Sequence, residues 1–135
     1  MFVHSKNKNE KIILGLLSYT LAEQSNSTEL LPTILANYQQ NEHKDFLLYR
    51  TQENENYIGL VGIEQHHDSE SGAKTLIIDR VALLPSFRHE SLGYQMFCEL
   101  KQLYSDYAMI GSQLTAEWVM KWSMRYDDEY GNNRV

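Results

Sequence analysis

The segment Thr75-Leu-Ile-Ile78, running through Asp79 and Arg80 to Val81-Ala-Leu-Leu84, restricts the fold more than any other. Apart from Asp79 and Arg80 it is apolar at odd and even positions alike. Side chains alternate across a strand, so a strand of this composition must be covered on both faces. Pro85 ends it. Leu92, Met96, Leu100, Leu103 and Tyr104 then recur every three or four residues, which predicts a helix from about Ser91 to Tyr104 with its apolar stripe against a sheet.

The flanking segments supply the cover. Lys11 to Leu21 carries Ile12, Ile13, Leu16 and Leu17 at helical spacing, and a second amphipathic stretch follows the polar break Glu23 to Thr28. Asn26 and Glu29 have the spacing of a capping box, but Pro32 removes a backbone donor, which moves the helix start to Thr28 or later; Leu31, Ile34, Leu35 and Tyr38 then form its buried stripe. Phe46–Tyr49, Tyr57–Ile63 and Thr75–Leu84, separated by polar loops, predict a three-stranded antiparallel meander. Tyr107–Gly111 predicts one more strand. Leu114–Trp122 predicts a last helix with Trp118, Val119 and Trp122 on one side, before a polar tail from about residue 124. The order helix, helix, three strands, helix, strand, helix is an α/β layer plan in one domain over residues 1–135.

Composition removes several function classes. The formal charge of −6, from 18 acidic and 12 basic side chains, opposes phosphate backbones and anionic membranes, so neither nucleic acid nor membrane is an expected partner. Cys98 is the lone cysteine, which excludes an intramolecular disulfide and a paired-cysteine zinc site. With no signal-peptide pattern and no apolar run long enough to span a bilayer, a cytoplasmic protein is expected. No metal is expected either: His66 and His67 are adjacent and point to opposite faces of a strand, and His89-Glu90 lacks a second histidine at helical spacing. Trp118 and Trp122 read as packing anchors, and Asp127, Asp128 and Glu129 as a solvated end.

The chemistry concentrates in Val81-Ala-Leu-Leu-Pro-Ser-Phe-Arg-His-Glu-Ser-Leu-Gly-Tyr-Gln-Met96, where a buried strand turns through a proline into a helix. The first turn of a helix carries unbonded N–H groups and a partial positive charge, so it suits phosphate. Arg88 adds a charged donor, and Gly93 lets a ligand reach the backbone. Leu83-Leu-Pro85-Ser-Phe-Arg88-His-Glu-Ser91-Leu-Gly93 resembles the Val-x-Pro-x-x-Arg-x-x-Gly-Ile-Gly pattern of the GNAT acetyltransferases, with Leu83, Pro85, Arg88, Leu92 and Gly93 filling its diagnostic places. The element order is similar to the GNAT plan over nearly the whole chain. Glu10-Lys-Ile-Ile-Leu-Gly-Leu-Leu-Ser18 also resembles the opening of the RibT branch, small proteins associated with riboflavin-synthesis gene clusters.

The resemblance implies an α/β fold with a mixed, mainly antiparallel sheet and helices on both faces, and acetyl-CoA as acyl donor. It implies that Val81 and Leu83 flank the acetyl group and pantetheine, and that the stretch from Arg88 to Tyr94, with His89, Ser91, Leu92 and Gly93, holds the pyrophosphate. It departs from the pattern at Ser91, which replaces the first loop glycine, and at Glu90, a carboxylate beside the phosphates. Amine acetylation needs a base, because a lysine-like amine is protonated at neutral pH. On regular alternation Asp79 shares a face with Val81 and Leu83 and is the first candidate base; Glu64 is the second, and either can instead be half of an ion pair with Arg80. The family's tyrosine acid on the last helix falls at Met120, which cannot donate a proton, with Tyr126 the alternative. Two functions stay open: N-acetyl transfer to a small amine or protein lysine, or a non-catalytic CoA-binding or interaction module. A homodimer is plausible by analogy with the fold.

Overall fold

The computed structural model describes residues 1–5, 9–20, 30–52, 56–88 and 91–131. Five strands form one sheet in the order β1-β2-β3-β4-β5: β1 (Phe2–His4), β2 (Lys44–Tyr49), β3 (Gly59–His67), β4 (Lys74–Leu83) and β5 (Ala108–Gly111). The first four are antiparallel, and β5 joins β4 in parallel. Helices α1 (Glu10–Leu17) and α2 (Leu31–Gln40) cover one face; α3 (Leu92–Leu103) and α4 (Ala116–Tyr130) cover the other. The expected α/β plan is therefore the observed one. Among the described residues no helix is long and apolar enough to cross a membrane.

Each face has its own core. Ile13, Leu16, Leu17, Leu35 and Tyr38 pack on Phe46, Leu48, Leu60 and Ala82. Leu92, Met96, Phe97, Leu100 and Val119 pack on Leu47, Val61, Ile63, Leu76, Ile78, Val81 and Leu83. Strand β4 feeds both cores, as its two-sided apolar composition requires.

Three local features differ from expectation, and the late start of α2 agrees with it. Strand β1 lies in a segment that reads as polar; Phe2 pairs with Tyr49, and their ring centroids are 4.8 Å apart. Helix α1 stops at Leu17, because the Ser18 hydroxyl donates to Gly15 O at 2.6 Å and the Thr20 hydroxyl to Leu17 O at 2.6 Å, taking its last carbonyls. Helix α2 starts at Leu31 with Pro32 in its first turn, where a missing N–H costs nothing. Asn26, Thr28 and Glu29 lie outside the described residues. Helix α4 runs to Tyr130, well past the expected end at Trp122, so the start of the supposed acidic tail is helical. Arg125 and Glu129 pair one turn apart at 2.9 Å, and the Tyr94 hydroxyl of α3 donates to Glu129 at 2.8 Å, which anchors that last turn to the protein.

Candidate functional site

The site begins where β4 loses a neighbour. Strands β4 and β5 pair only from Thr75 to Ile78. Ser112 N–H donates to Ile78 O at 3.2 Å and the Ser112 hydroxyl to Asp79 O at 2.9 Å, which closes the pairing. Beyond Asp79 the strands part, leaving the edge of β4 as far as Leu83 without a β5 partner. Leu84 donates its N–H to Ile58 O, on the β3 side, at 3.0 Å. Alternation therefore turns the backbone groups of Val81 and Leu83 toward the open edge. Their side chains lie in the α3/α4 core.

A β-bulge sits at the apex. Ile63 pairs with Ile78 and Gly62 with Arg80, so Asp79 is an extra residue without a cross-strand partner. The bulge shifts the phase of the strand. Asp79 consequently does not share a face with Val81 and Leu83; it turns to the α1/α2 side, where the Tyr38 hydroxyl donates to its carboxylate. Burial, and then the adjacent Asp79 charge, hold the Tyr38 phenol well above the ordinary tyrosine range. A Cβ at Gly62 would collide with the Tyr38 hydroxyl, so this pair depends on a glycine one strand away. Arg80 Nε lies 3.9 Å from Asp79. Glu64 is paired elsewhere, with Lys44 directly across at 3.5 Å and with His66. Burial raises the Glu64 pKa, but the His66 hydrogen bond and the Lys44 charge outweigh it and leave it lowered.

At the other end of the open edge, Pro85–Phe87 forms a 3₁₀ turn and α3 begins. Ser91, where the resemblance calls for glycine, adopts φ 57° and ψ 23°, the left-handed conformation. The family pattern thus has a backbone cause at this position. Gly93 has a different one: a Cβ there would lie 2.8 Å from the Trp122 ring, so Gly93 admits a side chain of α4 where a close-lying ligand was expected. Leu92 is buried in the core, and Tyr94 turns its hydroxyl to Glu129. His89 and Glu90 lie outside the described residues. Arg88 reaches backward, donating from Nε to Leu83 O at 3.2 Å and from Nη2 to Tyr19 O at 2.9 Å.

The second Arg88 contact matters because Thr20 forms an isolated antiparallel bridge with Ala82. The β3 side of Ala82 is already paired with Leu60, so Thr20 covers the open edge. Tyr19 and Thr20 act as a strap over the gap, stapled by Arg88. Beside it lies a cleft of about 270 Å³ lined by Leu83, Arg88, Ser91, Gly93, Trp118, Trp122 and two further residues of α3 and α4, Tyr94 and Arg125. Trp118 and Trp122 are thus wall as well as packing. Arg125 was hidden from sequence patterns by the supposed tail. Met120 is 63% exposed on the outside of α4, and Tyr126 packs edge-on against Phe97; neither lines this cleft.

No protein-family model matches the sequence. An uncharacterized N-acetyltransferase in the lysA 3′ region of Bacillus methanolicus is 28% identical over 129 residues, 96% of this chain and 100% of that protein. A GNAT family acetyltransferase from Staphylococcus aureus superposes with a TM-score of 0.62 at 16% identity, over 82% of this chain and 83% of that one. The aminoglycoside N-acetyltransferase AAC(6′)-Iy, in complex with CoA, gives 0.60 at 14% identity, over 97% and 86%. With four antiparallel strands, a parallel β5 and two helices on each face, the chain has the fold of the GNAT acetyltransferases.

Proposed function

We propose that the protein is an acetyl-CoA-dependent N-acetyltransferase of the GNAT type. The observation that carries this is the β4 edge from Asp79 to Leu83, left without a β5 partner and followed by Arg88, Ser91 and the start of α3. An extended pantetheine, with its two amides, suits an unpaired strand edge as another strand would, and a pyrophosphate suits the following loop and helix start. Acetyl-CoA is the acyl donor of GNAT acetyltransferases. In the reaction the amine nitrogen attacks the thioester carbonyl, the C–S bond breaks, and the thiolate leaves and takes up a proton. The N–H groups of Val81 and Leu83 face the carbonyl oxygen as charge develops on it. Asp79, at the apex, accepts the proton from the incoming ammonium, with Tyr38 fixing its carboxylate. Arg88 and Ser91 hold the pyrophosphate, Val81 and Leu83 the pantetheine arm, and the strap of Tyr19 and Thr20 withdraws to admit it.

The acceptor in this proposal is a small amine or a protein lysine in the cytoplasm. A tie to RibT-like proteins and riboflavin synthesis rests on the Glu10–Ser18 motif, which folds as α1 and its cap; the homodimer rests on fold analogy. One observation favours a second reading, a CoA-binding module without turnover: Met120 stands solvent-exposed where the family pattern calls for a tyrosine acid. Calorimetric titration of acetyl-CoA, followed by thiol release with a panel of amines, separates the two. Binding that Arg88→Ala weakens about tenfold or more is expected. Turnover that Asp79→Asn lowers by about 10²-fold or more, with acetyl-CoA affinity kept, supports the enzyme. Binding without thiol release selects the module, and no binding by the folded protein rejects both.

A further inference from the structure

We propose that Arg125 is the contact for the 3′-phosphate of coenzyme A, an inference that rests on the acetyl-CoA reading above. The cleft lined by Leu83, Arg88 and Ser91 is lined by Arg125 as well. A second cleft, of about 390 Å³, shares Ser91, Tyr94 and Arg125 with the first and adds Tyr49, Gln95, Tyr130 and Glu99, whose carboxylate is paired with the amino terminus at 3.1 Å. Coenzyme A is a linear molecule, and its parts must follow the order of the walls: thioester and pantetheine, then pyrophosphate, then 3′-phosphoadenosine. With pantetheine at Leu83 and pyrophosphate at Arg88 and Ser91, the next charged group is the 3′-phosphate. Arg88 and Arg125 are the cations lining the first cleft, and Arg125 is the cation lining the second.

The guanidinium is already oriented. Its Cζ lies 4.0 Å from the centre of the Tyr94 ring, and Nε donates to Glu129 at 2.9 Å. The Tyr94 hydroxyl donates to the other oxygen of the same carboxylate at 2.8 Å, which locks ring, carboxylate and guanidinium into one unit. Stacking on a ring and a single bond through Nε leave the terminal N–H fork as the part suited to a phosphate, which it can take with two parallel hydrogen bonds. Glu129 works in the opposite sense once the ligand arrives. It neutralises Arg125 in the free protein and repels the incoming phosphate, so it tempers affinity as well as setting the geometry.

The test is calorimetric titration of acetyl-CoA and of acetyl-3′-dephospho-CoA into the full chain, Arg125→Gln and Glu129→Gln. The full chain should prefer acetyl-CoA by about tenfold, the size of one charge-assisted phosphate contact. Arg125→Gln should abolish that preference while leaving the dephospho ligand's affinity in place. Glu129→Gln keeps an acceptor for the Tyr94 hydroxyl but removes the charge, so it should widen the preference severalfold. Equal binding of the two ligands by the full chain overturns the assignment, as does an equal loss of both in Arg125→Gln, which would make Arg125 a prop for α4. Should Arg125→Gln fail to fold, an unchanged preference in Glu129→Gln overturns it independently. Binding of neither ligand by the full chain defeats the acetyl-CoA reading itself, and the Arg125 assignment with it.

Discussion

Ser91 shows how a single residue can match a family pattern in backbone while departing from it in type. The left-handed conformation costs an L-residue roughly 1–2 kcal/mol, and glycine escapes that cost while losing some conformational entropy on folding. Ser91→Gly should therefore raise stability by up to about 1 kcal/mol, and Ser91→Val, whose β-branch tolerates positive φ least, should lower it by at least as much. Urea unfolding midpoints would show both; a lower midpoint for Ser91→Gly would mean that the hydroxyl contributes more than the backbone costs. The motif's place in the fold was legible: Leu83 ends β4, Pro85 opens the 3₁₀ turn and Gly93 lies in the first turn of α3. What each does was less legible. Gly93 receives Trp122, and Arg88 bonds to Tyr19 O, because those partners come from distant segments that local spacing does not encode.

Among elements, β4 was read correctly as a strand covered on both faces and incorrectly in phase. The meander, α3 and β5 follow from runs long enough to show their period. Strand β1 has only three residues and shows none. The bulge adds one residue to β4, and one residue is all it takes to move Asp79 to the opposite face. Helix α4 continues because α3 holds its last turn, a tertiary effect that outweighs three acidic side chains near a helix C-terminus. The Tyr38–Asp79 contact that the bulge creates carries a pH signature. The folded pKa of Tyr38 lies above its ordinary value of 10.0, through burial first and the Asp79 charge second, so its contribution is intact below pH 10 and fades as pH rises beyond it. At pH 8, Tyr38→Phe should be less stable by about 1 kcal/mol for the lost hydrogen bond. At pH 11 the difference should shift by about 1.4 kcal/mol in favour of the variant, enough to bring the two proteins level or reverse their order, because the unfolded tyrosine ionises and phenylalanine does not. Urea titrations at the two pH values give the comparison, and a constant gap would remove Tyr38 from the alkaline behaviour.

For the molecule as a whole, the strap joins the α1/α2 layer to the donor gap. Thr20 and Ala82 are directly opposed on adjacent backbones, a placement that suits a disulfide. In the Thr20→Cys/Ala82→Cys protein, oxidation should abolish acetyl-CoA binding and reduction should restore it, with each single variant as control; undiminished binding by the oxidised form would show that strap and pantetheine coexist. If the donor takes the β4 edge as proposed, the Thr20–Ala82 bridge must open first, and measured affinity is the intrinsic affinity scaled by the open fraction. Tyr19 and Thr20 follow directly on Leu17, which is buried in the same core as the Tyr38 that orients Asp79. Under the proposed function, one piece of chain would touch both substrates' sites, and any factor by which the donor changes acceptor affinity would be returned by the acceptor in equal measure.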